Sequence, residues 1–118
     1  MPTALPGVLA RSTIVLFGDS LTQRGFEPEG WAAALTHYYG RRADVYNRGY
    51  GGYNTRWALN TLPAIFPAGA AATTTPALVT VLLGANDANL PAPLRKQSAS
   101  ASRQHVPLDE YVDNLRSI

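Results

Sequence analysis

Ile14 to Phe17 is a continuous apolar run, β-branched and aromatic, and Gly18 stops it. A run of this kind is expected of a strand buried on both faces, and such strands belong in parallel sheets covered by helices. Leu78 to Leu83 repeats the pattern as a third strand, and a short second strand is expected at Ala43 to Tyr46. Helical stretches separate them. Trp31, Leu35, Tyr38 and Tyr39 fall at i, i+4, i+7 and i+8, one face of a helix that Gly40 ends. Trp57, Ala58, Leu59, Leu62 and Ile65 suggest a second helix, disturbed at Pro63. Leu108, Tyr111, Val112 and Leu115 make a last helical face, and Asp109 and Glu110 suit its first turn. The alternation predicts an α/β domain with a parallel sheet and right-handed crossovers.

Between these elements the chain reads as connection. Residues 1–11 are a short lead-in. Residues 21–30 are loop, with Gly25, Pro28 and Gly30 as breakers. Residues 67–76 form a low-complexity Ala/Thr/Gly linker, and residues 88–107 a polar, Pro/Ser-rich mobile loop. The length of 118 residues suits one domain, and 46% hydrophobic residues with a net charge of only +2 describe a globular chain. The pI of about 9.2 rests on a small arginine excess and argues little for nucleic acid. Cysteine is absent, which excludes disulfides, zinc–thiolate sites and cysteine nucleophiles. The first ten residues are broken by Pro2, Pro6 and Gly7 and lack a basic start. They read as neither signal peptide nor membrane span, and the expected location is cytoplasmic.

Polar clusters stand just beyond the carboxyl end of each expected strand. Asp19 and Ser20 follow strand one. The glycine-rich loop Asn47 to Thr55, with Gly52 in it, follows strand two. Gly84-Ala85-Asn86-Asp87 follows strand three. In open α/β sheets, ligands bind in the crevice outside the carboxyl ends of the strands. For all three clusters to share that crevice the strands must be neighbours, and the expected order is 2-1-3 with strand one central. Gly18-Asp19-Ser20 by itself reads better as a helix cap than as a nucleophile. In the company of the other two clusters it has what acyl transfer needs, a nucleophilic hydroxyl and several N–H donors to hold a developing oxyanion. The Ser20 N–H, the Gly52 N–H and the Asn86 side-chain amide are the candidate donors. A glycine at position 52 lets the backbone come close to a ligand, and Asp87 is expected to bond to nearby backbone and hold the turn.

Gly18-Asp19-Ser20-Leu21, the Asn47 to Gly52 loop and Gly84-Ala85-Asn86-Asp87 resemble blocks I, II and III of the GDSL, or SGNH, hydrolases. Gly49 to Trp57 and Gln104 to Tyr111 resemble the isoamyl-acetate-hydrolysing esterase branch, including its plant members. The resemblance covers nearly the whole chain. It implies a flavodoxin-like, three-layer α/β/α fold and hydrolysis of a small-molecule ester through a serine nucleophile. Ser20, Gly52 and Asn86 match the catalytic positions, with Asp19 and Asp87 behind them, and no cofactor is expected. The family's fourth block, Asp-x-x-His, which supplies the general base and its orienting acid, has no match. Residues 1–118 therefore look like the amino-terminal part of a single, longer hydrolase domain. The alternative is a non-catalytic chain that keeps the pocket and at most binds a ligand or partner.

Rival motifs do not fit. A dinucleotide fingerprint starting at Gly49-x-Gly51 would need a glycine where Asn54 stands, and no Gly-Lys-Ser/Thr follows a glycine loop. Thr22 stands where a Gly-x-Ser-x-Gly elbow needs glycine. No basic–aromatic stripe suggests RNA. His105 matches a family position other than the catalytic histidine. His37 reads as a partly exposed helical residue, and His105 with Asp109 at i, i+4 lacks a third metal ligand.

Overall fold

β1 (Ser12–Gly18) lies between β2 (Ala43–Gly49) and β3 (Leu78–Leu82), in one sheet ordered β2-β1-β3. Both pairings are parallel. Ile14 stands opposite Val45 on one side and Leu78 on the other. The computed structural model describes residues 11–69, 75–91 and 103–118. Most of the lead-in, the middle of the 67–76 linker and the stretch 92–102 of the expected loop lie outside the described residues.

The side chains of β1 alternate between two cores, as the strand period requires. Ile14 and Leu16 are buried with Ala32 and Ala43, and Leu35, Tyr39 and Val45 pack against them. Phe17 is buried on the other face with Ala58 and Leu83, against Tyr50, Leu62, Ile65, Phe66 and Ile118. Thus α2 (Trp31–Tyr39) covers one face of the sheet, while α3 (Thr55–Ile65) and the end of α4 (Leu108–Ser117) cover the other. This is the expected α/β/α arrangement.

Several elements depart from expectation. Residues 21–30 are not all loop, because α1 (Ser20–Gln23) and a 3-10 turn (Arg24–Phe26) follow β1 directly. β2 continues past Tyr46 to Gly49, since its ladder with β1 holds through Gly18 opposite Gly49. Its outer residues are polar and part-exposed, as an edge strand tolerates. α3 runs through Pro63 to Ile65. The buried stripe of α2 is Ala32 with Leu35 and Tyr39, and Trp31 and Tyr38 face solvent. None of α4 is fully buried, and Leu108, Val112 and Leu115 are exposed.

Gly18 marks how closely α1 sits on the sheet. A Cβ there would collide with the Thr22 side chain and come within 2.6 Å of the Leu82 carbonyl. The chain can turn from β1 into α1 at this point only because position 18 has no side chain.

Candidate functional site

Ser20 opens α1, and Asp19 caps it. One Asp19 carboxylate oxygen accepts the Leu21 N–H at 2.9 Å. Asp19 is only 1% exposed, and its second oxygen, Oδ2, has no hydrogen-bond partner among the described residues. The backbone N–H of Ser20 belongs to the first turn, where no intrahelical acceptor exists. α1 is held from below by Asn47, whose amide donates to the carbonyls of Thr22 (3.3 Å) and Gln23 (3.0 Å). The Asn47 oxygen accepts from Gly49 N–H at 2.8 Å. One side chain at the end of β2 thus ties the serine's helix to the start of the glycine loop.

The glycine loop then crosses toward Ser20. Tyr50 N–H donates to the Gly18 carbonyl at 2.9 Å, and Gly51 N–H donates to Gln23 Oε1 at 2.7 Å. A Cβ placed on Gly51 would stand 3.9 Å from the Ser20 Cβ, so the loop backbone passes beside the serine. Gly52 takes φ +80, a left-handed conformation that favours glycine. Its carbonyl accepts from Gln104 Nε2 at 3.0 Å.

Asn86 reaches the same loop from the third strand. Its Nδ2 donates to the Tyr53 carbonyl at 2.7 Å, one residue beyond Gly52. The structure therefore gathers Ser20, Gly52 and Asn86 at one edge of the sheet, beyond the carboxyl ends of three adjacent parallel strands. The Asn86 amide has two N–H groups, and the bond to Tyr53 uses one and fixes the direction of the other.

Asp87 does not hold its own turn, as expected, but reaches across the sequence to α3. Its carboxylate accepts the Thr55 N–H at 3.0 and 3.2 Å and the Thr55 hydroxyl at 2.5 Å. Asn114 of α4 donates to the same hydroxyl at 3.0 Å. Asn54, the cap of α3, accepts from Trp57 N–H and donates to the Gln104 carbonyl at 2.9 Å. Asp87 also borders a cavity of about 390 Å³ with Gly84, His105 and Tyr111.

Neither histidine faces the serine through a described hydrogen bond. His105 Nδ1 pairs with the Asn89 carbonyl at 2.7 Å, and His37 is exposed on α2. Among the described residues no group of three His, Cys, Asp or Glu could hold a metal ion. None of their helices is long and apolar enough to cross a membrane. Near the site, the Arg56 guanidinium grips Glu110 through two bonds, 2.6 and 2.7 Å. These bonds hold the Glu110 carboxyl below its ordinary value and raise that of Arg56.

Gln23, Asn47, Thr55 and Gln104 carry much of this geometry, and no sequence pattern marks them as site residues. Each acts through a partner 24 or more positions away. Such partnerships leave no local periodicity to read.

Residues 16–118 match the model of the GDSL-like Lipase/Acylhydrolase family. A GDSL esterase/lipase of Arabidopsis thaliana is 51% identical over 108 residues, covering 92% of this chain and 41% of that protein. An isoamyl acetate-hydrolyzing esterase 1 homolog of Bos taurus is 45% identical over 105 residues, covering 89% of this chain and 39% of that protein. The chain thus spans about two fifths of the length of these curated relatives. The solved SGNH-hydrolase family esterase AlinE4 superposes with a TM-score of 0.52 at 27% identity, over 92% of this chain and 55% of that one.

Proposed function

The chain belongs to the GDSL-like lipase/acylhydrolase family, and from that premise we propose that the protein hydrolyses carboxylic esters of small or lipid-like substrates with Ser20 as nucleophile. Ser20 Oγ attacks the acyl carbon, and its proton passes to a general base. The carbonyl oxygen becomes an oxyanion, held by the N–H groups of Ser20 and Gly52 and by Asn86 Nδ2. Collapse expels the alcohol, which takes the proton from the base. Water then attacks the acyl-serine, yielding the carboxylic acid and free Ser20.

The observation that carries this reading is the bond from Asn86 Nδ2 to the Tyr53 carbonyl, made while the neighbouring Gly51 backbone passes beside Ser20. It ties the third strand's asparagine to the loop that holds Gly52, which supports reading Ser20, Gly52 and Asn86 as donors to one oxyanion. The reading takes residues 1–118 as the amino-terminal part of a single hydrolase domain. Support comes from the two-fifths coverage of the relatives and from the absence of Asp-x-x-His within these residues. The base then comes from the remainder of that domain.

The test is turnover of p-nitrophenyl acetate and butyrate by the full-length protein carrying these residues. Ser20→Ala abolishes hydrolysis if the reading is right. Undiminished hydrolysis by Ser20→Ala removes Ser20 as nucleophile. A wild-type protein that binds such esters without turning them over favours the non-catalytic alternative.

A further inference from the structure

Glycine at φ +80 solves a steric problem and creates another, because glycine is free to leave that conformation. An oxyanion donor is useful only if its N–H already points where the charge will develop. The direction of the Gly52 N–H is set by the peptide plane between Gly51 and Gly52. That plane is bracketed on both sides. The plane before it, carrying the Gly51 N–H, is pinned by Gln23 Oε1 at 2.7 Å. The plane after it, carrying the Gly52 carbonyl and the Tyr53 N–H, is pinned at both ends. Gln104 Nε2 donates to the Gly52 carbonyl at 3.0 Å, and Tyr53 N–H donates to the Tyr50 carbonyl at 3.1 Å.

Gln104 is itself well anchored. Its Oε1 accepts from Asn89 Nδ2 at 2.6 Å, and its main-chain carbonyl accepts from Asn54 Nδ2 at 2.9 Å. With Oε1 committed to a donor, only Nε2 is left to face Gly52, so the amide has one workable orientation. The next residue but one, Val106, is buried, and its N–H bonds to the Asp87 carbonyl at 3.0 Å. The clamp on Gly52 is thus seated on the same third-strand turn that carries Asn86.

We infer that Gln104 is a positioning residue for ester hydrolysis: its side-chain amide pins the Gly52–Tyr53 peptide, which restrains the adjoining Gly51–Gly52 peptide and so aims the Gly52 N–H at the oxyanion. The inference rests on the reading of Ser20 and Gly52 given above. A small rotation of that peptide moves the donor away from the place where charge develops. Misplacements of this size cost up to a hundred-fold in rate while leaving ground-state binding almost untouched.

Gln104→Glu separates this role from a merely structural one. The carboxylate keeps the acceptor for Asn89 and the size of the side chain, but presents no donor to the Gly52 carbonyl. Gln104→Met removes both side-chain bonds at similar volume. In the full-length protein, with p-nitrophenyl acetate, both variants are expected to lose at least ten-fold in kcat with KM within about three-fold of wild type. Thermal unfolding followed alongside registers any loss of the fold. For Gln104→Glu the midpoint is expected to fall only modestly, because its anchor to Asn89 survives although a carboxylate oxygen now faces the Gly52 carbonyl. Wild-type kcat in Gln104→Glu overturns the inference, and so does a kcat loss matched by a collapse of its thermal midpoint. Ser20→Ala is run in parallel. If it leaves the rate unchanged, the reading of the site has failed. If it abolishes the rate while Gln104→Glu keeps it, only the role of Gln104 has failed.

Discussion

Asp87 and Thr55, 32 positions apart, form a buried pair in which one carboxylate takes both the backbone N–H and the hydroxyl of the threonine. Asp87 is 3% exposed and Thr55 fully buried. The pair joins the turn after β3 to the first turn of α3, where free N–H groups favour an acceptor of negative charge. It sets the third-strand turn, and with it Asn86, at a fixed height against the glycine loop.

Removing that acceptor leaves two buried donors unsatisfied. Asp87→Ala is expected to cost roughly 2–4 kcal/mol of stability, and Thr55→Val about 1 kcal/mol, because the N–H bond survives there. Urea unfolding of the variants measures both. Equal costs would mean that the backbone N–H bond contributes little.

Asn86 separates stability from chemistry. Asn86→Ala removes the bond to Tyr53 and, on the proposed reading, one oxyanion donor. Turnover of a short acyl ester by the full-length protein is expected to fall about a hundred-fold or more. Asn86→Asp, which replaces the donor with a negative charge beside the oxyanion, is expected to be at least as damaging. An Asn86→Ala enzyme within about three-fold of wild type in kcat would remove the residue from the hole.

The Arg56–Glu110 pair gives a pH signature of known sign. The hydrogen bonds from Arg56 lower the Glu110 carboxyl below its ordinary value of 4.5. A depressed carboxyl stabilises the fold above its unfolded value and loses that contribution as the pH falls through the folded one. Stability therefore falls below about pH 4.5 from this source, and Glu110→Gln removes that part of the slope. Both partners are substantially open to solvent, so the effect is small and weakens with salt. Thermal melts of wild type and Glu110→Gln between pH 3 and 6, at low and high salt, read it out.

The outer side of β3 carries another expectation. Among the described residues nothing pairs with that side, and Leu78, Val79, Val81 and Leu82 are all exposed. An apolar strand edge of this kind recruits other chains. The 118-residue chain is expected to self-associate as its concentration rises, and Val81→Lys to reduce this. Size-exclusion chromatography over a range of concentrations decides. A wild-type elution volume independent of concentration would show the edge to be inert.

From sequence, the parallel sheet, its 2-1-3 order and the gathering of three polar clusters at one edge are all legible. The strands and the clusters that follow them come from local information, and the order from the requirement that the three clusters meet in one crevice. Apolar runs such as Ile14 to Phe17 mark buried strands, glycines end them, and parallel pairing sends every carboxyl end the same way. The same logic fails where the partner is distant. β2 continues through Asn47, Arg48 and Gly49 because β1 offers it a ladder, which polar residues on an edge do not announce. α4 has an apolar stripe, yet Leu108, Val112 and Leu115 remain exposed, because periodicity specifies a face and not what covers it. Asp87 was expected to bond at its own turn, and only the approach of α3 gave it Thr55 instead. Gln104 has no helical or strand period to mark it, and its place beside Gly52 exists only once residues 52 positions apart are folded together. Local chemistry determined the elements and the ends that carry reactive groups. Tertiary contacts decided which hydrogen bonds aim those groups, since the partners of a buried polar side chain depend on what the fold brings within about 3 Å of it.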